Sequence, residues 1–191
     1  SSKSVMAFRP AYNPRWSYAG SKIIGELFFI HYADAYNLRM VITRLHNLYG
    51  PRAGYESMTP KFIKRIQDHT EPFPLFGPDD QRASCYVGDA VEGMCKVIES
   101  SVTDGQIYHV GDYRETTIKS ILEIMFGIMR WHPAEFDIKK ATSGNISHDI
   151  LDVLKIKRAT GWEAKTTLEE GLRRTVEWYL EHPSMVTQSS V

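Results

Sequence analysis

Tyr18 and Lys22 stand four residues apart at the opening of a segment that reads as a helix. Residues at i and i+4 project from one helical face, so this spacing sets an ammonium beside a phenol. A free phenol ionises near pH 10 and is a poor base at neutral pH. A cation held close favours the phenolate, and the hydroxyl can then take a proton from, or return one to, a sugar or alcohol hydroxyl. Composition alone supplies roughly 0.6 such pairs in this chain, so the bare spacing carries little weight and the flanking residues must decide.

The flanks are Pro14-Arg15-Trp16-Ser17 before the tyrosine and Ala19-Gly20-Ser21 between the pair. Pro14 and Ser17 are helix-start signals, and Ile23, Ile24, Leu27, Phe28 and His31 recur at helical spacing, which predicts a helix over 17–37. Phe28, Phe29, Tyr32 and Tyr36 extend its apolar surface round more than one face, so burial on both sides is expected. Residues 38–45 (Leu-Arg-Met-Val-Ile-Thr-Arg-Leu) read as a buried strand ended by Gly50-Pro51. Asn47 lies just past its end, where open α/β sheets place ligands, and its amide can both donate and accept. Taken alone, Asn-x-x-Gly-Pro is a turn.

The 191 residues carry 42% hydrophobic and 24% charged side chains with a formal net charge of zero, an ordinary globular balance for one domain or one and a half. That balance gives no reason to expect nucleic acid or a membrane as partner. Cys85 and Cys95 are expected to be free and reduced, which suggests a cytoplasmic protein, and the scattered histidines offer no ligand-spaced cluster for a metal.

Farther along, helices are expected over 60–69, 89–100, 117–129, 150–160 and 168–182, with strands over 73–76 and 106–110. In the helix over 89–100 the expected inward stripe is Val91, Met94, Cys95 and Ile98. In the last helix it is Leu172, Val176 and Leu180. Residues 130–148 read as irregular and the tail after Pro183 as disordered. Arg82 opens an alternating stretch through Tyr86 and Val87. A guanidinium there could grip a diphosphate through paired hydrogen bonds, or could simply pair with Asp79 or Asp80 on the surface.

Four ordered blocks resemble the extended short-chain dehydrogenases/reductases, and within them the nucleotide-sugar epimerase, dehydratase and decarboxylase family. They are Pro14-Arg15-Trp16-Ser17-Tyr18-Ala19-Gly20-Ser21-Lys22, Arg44-Leu45-His46-Asn47-Leu48-Tyr49-Gly50-Pro51-Arg52, Arg82-Ala83-Ser84-Cys85-Tyr86-Val87-Gly88-Asp89-Ala90-Val91, and Gly161-Trp162-Glu163 followed by Leu168-Glu169-Glu170-Gly171-Leu172. The resemblance implies an α/β fold: the C-terminal part of a Rossmann-type doubly wound sheet plus a small mixed α/β substrate-binding lobe. Residues 1–55 would belong to the dinucleotide-binding part, 56–183 mainly to the lobe with one strand returning to the sheet, and 184–191 to a disordered tail. It implies NAD (or NADP) as cofactor and a nucleotide-diphosphate sugar as substrate. Tyr18 would be the acid/base, Lys22 would lower its pKa and hold the nicotinamide ribose, and Ser2, with Ser4 as fallback, would share the substrate hydroxyl. Asn47 and Arg82 would bind the nucleotide-sugar. A homodimer through the Tyr18 helix, or a complementing N-terminal chain, would cover the helix's outer surface.

Two departures qualify the resemblance. No glycine-rich turn leading into a helix is present to cradle a pyrophosphate, so the match is to the C-terminal portion of the family. Asp149, preceded by His148, stands three residues before Asp152, where the family commonly places a diphosphate-binding arginine, and an acid there would repel the phosphates. Lys3 and Ser4 stand where dehydratases usually add an acid after the serine. That favours an epimerase, with dehydratase, decarboxylase or reductase chemistry and a non-catalytic nucleotide-sugar-binding or assembly module as the alternatives.

Overall fold

The helix that carries Tyr18 and Lys22, α1 (Arg15–Tyr36), ends at Asn37, whose φ of 50° turns the chain back toward the first strand. The structure, a computed structural model, describes residues 15–140 and 152–187. Strand β1 (Ile42–Leu45) is shorter than the apolar run suggested. Residues 38–41 serve instead as a connection, anchored where Arg39 forks onto Asp104 at 2.8 and 3.0 Å and Gly105 N–H donates to Met40 O.

The chain continues through β2 (Leu48–Tyr49), α2 (Met58–Gln67), β3 (Phe73–Phe76), β4 (Gln81–Ala83) and β5 (Cys85–Tyr86) into α3 (Val87–Glu99). Then come β6 (Ile107–Val110), β7 (Glu115–Thr117), α4 (Ile118–Met129) and β8 (Phe136–Lys139). Helices α5 (Leu154–Thr160), α6 (Leu168–Glu181) and α7 (Ser184–Thr187) complete the described residues. β1 pairs in parallel with β6, Ile42 facing Ile107 and Leu45 facing Val110. β2 pairs in parallel with β5, β3 in parallel with β8, and β4 antiparallel with β7. Parallel strands joined through helices make this a mixed α/β fold of Rossmann type.

Among the described residues the apolar side chains gather into two cores. One joins α2, β3, α4 and α6 through Phe62, Ile63, Phe73, Met125, Phe126, Leu172 and Tyr179. The other lies behind the β1–β6 pair, where Tyr108 and Val110 meet Ala90 and Val97 of α3, Ile156 of α5 and Trp162.

Several expectations need correction. In α3, Val91, Cys95 and Ile98 are exposed, and the inward stripe is Ala90, Gly93 and Val97. The reason is close approach: a Cβ on Gly93 would stand 2.8 Å from the Trp162 ring, so small residues mark the packed face. In α6 the stripe turns onto Tyr179, whose hydroxyl donates to Ala53 O at 2.6 Å, while Leu180 is half exposed. Gly171 of α6 lies against the Tyr49 hydroxyl and leaves no room for a Cβ. Strand β8 falls inside the stretch expected to be irregular, recruited by β3 rather than by its own sequence. Past Pro183 the chain forms α7 and packs on α2, with Met185 against the first core. The two-sided burial expected of α1 does not occur within this chain: Phe28 is 72% and Phe29 67% exposed. No described helix is long and apolar enough to cross a membrane.

Candidate active site

By the 3.6-residue period α1 presents three stripes. Ala19, Ile23, Glu26 and Ala33 face the body of the chain and are buried or half-buried. Ile24, Leu27, Phe28 and His31 line a shallow hollow of about 270 Å³ on the outer side. The third stripe is Tyr18, Lys22, Phe29, Tyr32 and Tyr36, and all five are exposed.

The expected pair is therefore assembled. Lys22 Nζ lies 5.1 Å from the Tyr18 ring centroid, and both side chains are open to a ligand. Ser21 Oγ donates to Tyr18 O at 2.7 Å, which ties the intervening turn to the helix backbone.

Behind the pair lies a charged cluster. Arg44 of β1 forks onto Glu26, Nε to Oε1 at 2.7 Å and Nη2 to Oε2 at 2.6 Å. The Arg44 hydrogen bonds hold the Glu26 carboxyl below its ordinary value, against the upward push of burial. His109, in register with Arg44 on β6, has its imidazole pushed down by burial first, then by Arg44 and His46; Asp152 and Glu26 pull the other way.

Asn47 follows β1 in a left-handed conformation, φ 40°, with its side chain exposed. Its carbonyl accepts from Cys85 N–H at 3.1 Å, which fastens the end of β1 to the strand that follows Arg82. Asn47 and Arg82 thus flank β5, while Tyr18 and Lys22 stand on the helix bonded to β1. Arg82 donates to Gln81 O at 2.8 Å and to Asp80 Oδ2 at 3.4 Å, with only 16% of its side chain exposed. It is thus a largely buried arginine paired with Asp80, and the pairing with an aspartate is one of the two alternatives the sequence offered. Beside it, across the β4–β7 pairing, a cavity of about 140 Å³ is lined by Ser84, Asp112, Arg114, Thr116 and Leu168. A wider groove of about 520 Å³ at Tyr108, Lys155 and Arg158 lies on the α3–α5 side of the sheet, away from α1. Ser2, Ser4, His148 and Asp149 lie outside the described residues.

Three supporting groups escaped the sequence reading. Asp89, buried, accepts from Lys165 N–H, Thr166 N–H and Thr166 Oγ1 at 2.8–3.1 Å and clasps the loop before α6 to the start of α3. Asp112, also buried, accepts from both the backbone and the guanidinium of Arg114 at 2.9 Å. Glu26 and Arg44 are the third device. Glu26 falls four residues after Lys22 on the helix and Arg44 opens the Arg-x-x-Asn block, so opposite charge at these places was the available signal. Cys85 offers no chemistry, since burial pushes its thiol up to about 12.

The donor set suits one end of a dinucleotide. An exposed hydroxyl and ammonium side by side match a ribose and its nicotinamide, whereas no glycine-rich turn opens a helix among the described residues.

Comparison with known proteins identifies the family. The family model described as GDP-mannose 4,6 dehydratase matches residues 8–175. The dTDP-D-glucose 4,6-dehydratase of Mus musculus is 30% identical over 172 residues, covering 87% of this chain and 48% of that protein. Among solved structures, the dTDP-glucose 4,6-dehydratase of Streptomyces venezuelae with NAD bound has a TM-score of 0.77 at 29% identity, covering 87% of this chain and 52% of that one. The UDP-glucose 4-epimerase of Thermotoga maritima with UDP-glucose has a TM-score of 0.73 at 28% identity, covering 83% and 51%. The chain spans about half the length of the dTDP-glucose 4,6-dehydratases it matches and about a quarter of the longer trifunctional relatives. A family model that covers most of the sequence, and a fold shared with both enzyme types, decide the assignment: the chain belongs to the GDP-mannose 4,6-dehydratase family, the nucleotide-sugar epimerases and dehydratases of the extended short-chain dehydrogenases/reductases.

Proposed function

We propose that this chain is the catalytic-helix and substrate portion of an NAD-dependent nucleotide-sugar epimerase. The observation that carries the reading is the Tyr18–Lys22 pair, exposed together at the open start of α1. NAD, its nicotinamide end held by Tyr18 and Lys22, would supply the hydride acceptor and donor for the sugar carbon. Tyr18 Oη receives the proton of the hydroxyl on that carbon and gives it back in the reverse step. Lys22 favours the phenolate electrostatically and offers an ammonium donor to the ribose. Ser2 shares the substrate hydroxyl. Asn47 and Arg82 hold the nucleotide-sugar, the guanidinium suiting a diphosphate better than a lysine would.

The apolar stripes of α1 support a second body against this helix, either another copy of the chain or a polypeptide that supplies the pyrophosphate-binding part. A patch of this extent is unusual on a solvated monomer.

A 4,6-dehydratase is the second reading, favoured by the identity to dTDP-glucose 4,6-dehydratases. Against it stand Lys3 and Ser4, where elimination would want an acid. Product analysis separates the two. The chain, with any polypeptide that copurifies, is incubated with NAD and a panel of UDP- and dTDP-hexoses and followed by proton NMR. An epimeric hexose with C6 still hydroxylated supports the first reading. A 4-keto-6-deoxy sugar replaces it with the second.

A further inference from the structure

The body-facing stripe of α1 is too small to fix the helix by packing. Its packed residues are Ala19, Ile23, Glu26 and Ala33, two of them alanines, with Ile30 beside them still 37% exposed, while Leu27, Phe28, Phe29, Tyr32 and Tyr36 point elsewhere. An apolar contact of this kind resists separation but little resists sliding or rolling, since it is non-directional. A forked carboxylate–guanidinium pair fixes both distance and plane. Arg44 and Glu26 make such a fork, half shielded from water, with side-chain exposures of 35% and 18%.

The position of the fork matters as much as its geometry. The chain reverses at Asn37, so α1 read backward runs beside β1 read forward, with Glu26 level with Arg44. Tyr18 then lies eight residues beyond the fork, about 12 Å at 1.5 Å per helical residue. Asn47 lies three residues beyond it along the strand, about 10 Å at 3.3 Å per residue. Both arms reach toward the same end of the sheet from one common origin. We propose that the Glu26–Arg44 fork is the positioning device of the site: it sets the height and rotation of α1 on β1, and through them the place of Tyr18 relative to Asn47. Neither residue touches the reacting atoms; each acts through the helix or the strand that it holds. A shift of one helical residue would move Tyr18 by about 1.5 Å and turn it by about 100°, and a misplacement of about 1 Å at a reacting group can cost on the order of a hundredfold in rate.

The functional half of this inference rests on Tyr18 as the acid/base, whereas the positional half does not, and the test reads position alone. Spin labels are placed at Ser21→Cys on α1 and Tyr113→Cys just past β6, both exposed sites, in a Cys95→Ser background that leaves only the buried Cys85. Pulsed dipolar spectroscopy then gives the distribution of the α1-to-sheet distance. One narrow distribution is expected with the fork intact. Arg44→Lys, which keeps the charge and loses the fork, should widen it about twofold, and Glu26→Gln should widen it at least as much. Exchanging the charges, Glu26→Arg with Arg44→Glu, should narrow it again. Far-UV circular dichroism and the denaturation midpoint should change little in Arg44→Lys, since the two cores lie elsewhere. Unchanged width in both single variants would overturn the proposal, as would a widening that the exchange fails to reverse. An intact distance response in a chain without turnover would count against the reading of Tyr18 and leave the fork in place.

Discussion

Helices α1 and α4 are both rich in apolar side chains, yet they use that surface differently. α4 turns Ile118, Ile121, Leu122, Met125 and Phe126 into the core it shares with α2, β3 and α6. α1 leaves Leu27, Phe28, Phe29, Tyr32 and Tyr36 more than half exposed, and among its described hydrophobic side chains it buries fully only Ala33. A helix apolar on one stripe stabilises its own domain, whereas one apolar on three stripes has surface left for something outside it. Substitutions in α4 should therefore register as stability, and substitutions on the outer faces of α1 as association or turnover.

The largest stability effect is expected at Phe126, whose ring meets Phe73 edge-on at 5.4 Å. Phe126→Ala should cost about 3–5 kcal/mol, read as a lowered urea midpoint, because the cavity cannot close around the neighbouring rings of Phe73, Trp131, His132 and Phe136. A smaller loss is expected at the clasp before α6. Asp89→Ala strands the Lys165 and Thr166 amides and should cost roughly 1.5–3 kcal/mol in the same assay.

Smaller again is an acid effect where α1 sits on the β1–β6 pair, from His109 of β6 and Glu26 of α1. The folded imidazole of His109 is held below its ordinary 6.5. As pH falls through that value the unfolded state takes a proton that the folded state resists, so stability present above 6.5 is lost on acidification. Glu26, whose carboxyl is held below 4.5, adds a loss of the same sign at lower pH. The denaturation midpoint should fall between pH 7.5 and 5.5, and His109→Gln should flatten that slope. The smallest change is expected at Phe28 on the outer stripe. Phe28→Ala should alter the unfolding free energy read from urea denaturation by less than about 0.5 kcal/mol while lowering the mass seen by light scattering. A core-sized stability loss there would erase the contrast between the two helices.

Much of this was legible in the sequence. The four-residue spacing placed Tyr18 and Lys22 on one face, the apolar period marked α4 within a residue of its observed ends, and Thr117 accepts from Ser120 N–H as an N-cap should. What escaped was set by tertiary contact. The packed face of α3 is marked by Gly93 and Ala90 because Trp162 lies flat against it, and hydropathy assigns small residues no weight. Strand β8 exists through its pairing with β3, and Ile138 remains 66% exposed, so no local apolar signal announced it. The Glu26–Arg44 fork joins residues 18 apart on different elements, which no local period encodes.

The most direct test of the central claim is the turnover of Tyr18→Phe against its affinity for the nucleotide-sugar. The substitution removes one hydroxyl from a side chain that is 70% exposed and packs on nothing in this chain's cores. Turnover should fall by about two to four orders of magnitude, with the nucleotide-sugar dissociation constant and the denaturation midpoint unchanged. A variant that keeps the wild-type rate would contradict the account, as would a wild-type chain that stays inert toward every nucleotide-hexose offered with NAD once a pyrophosphate-binding part is supplied.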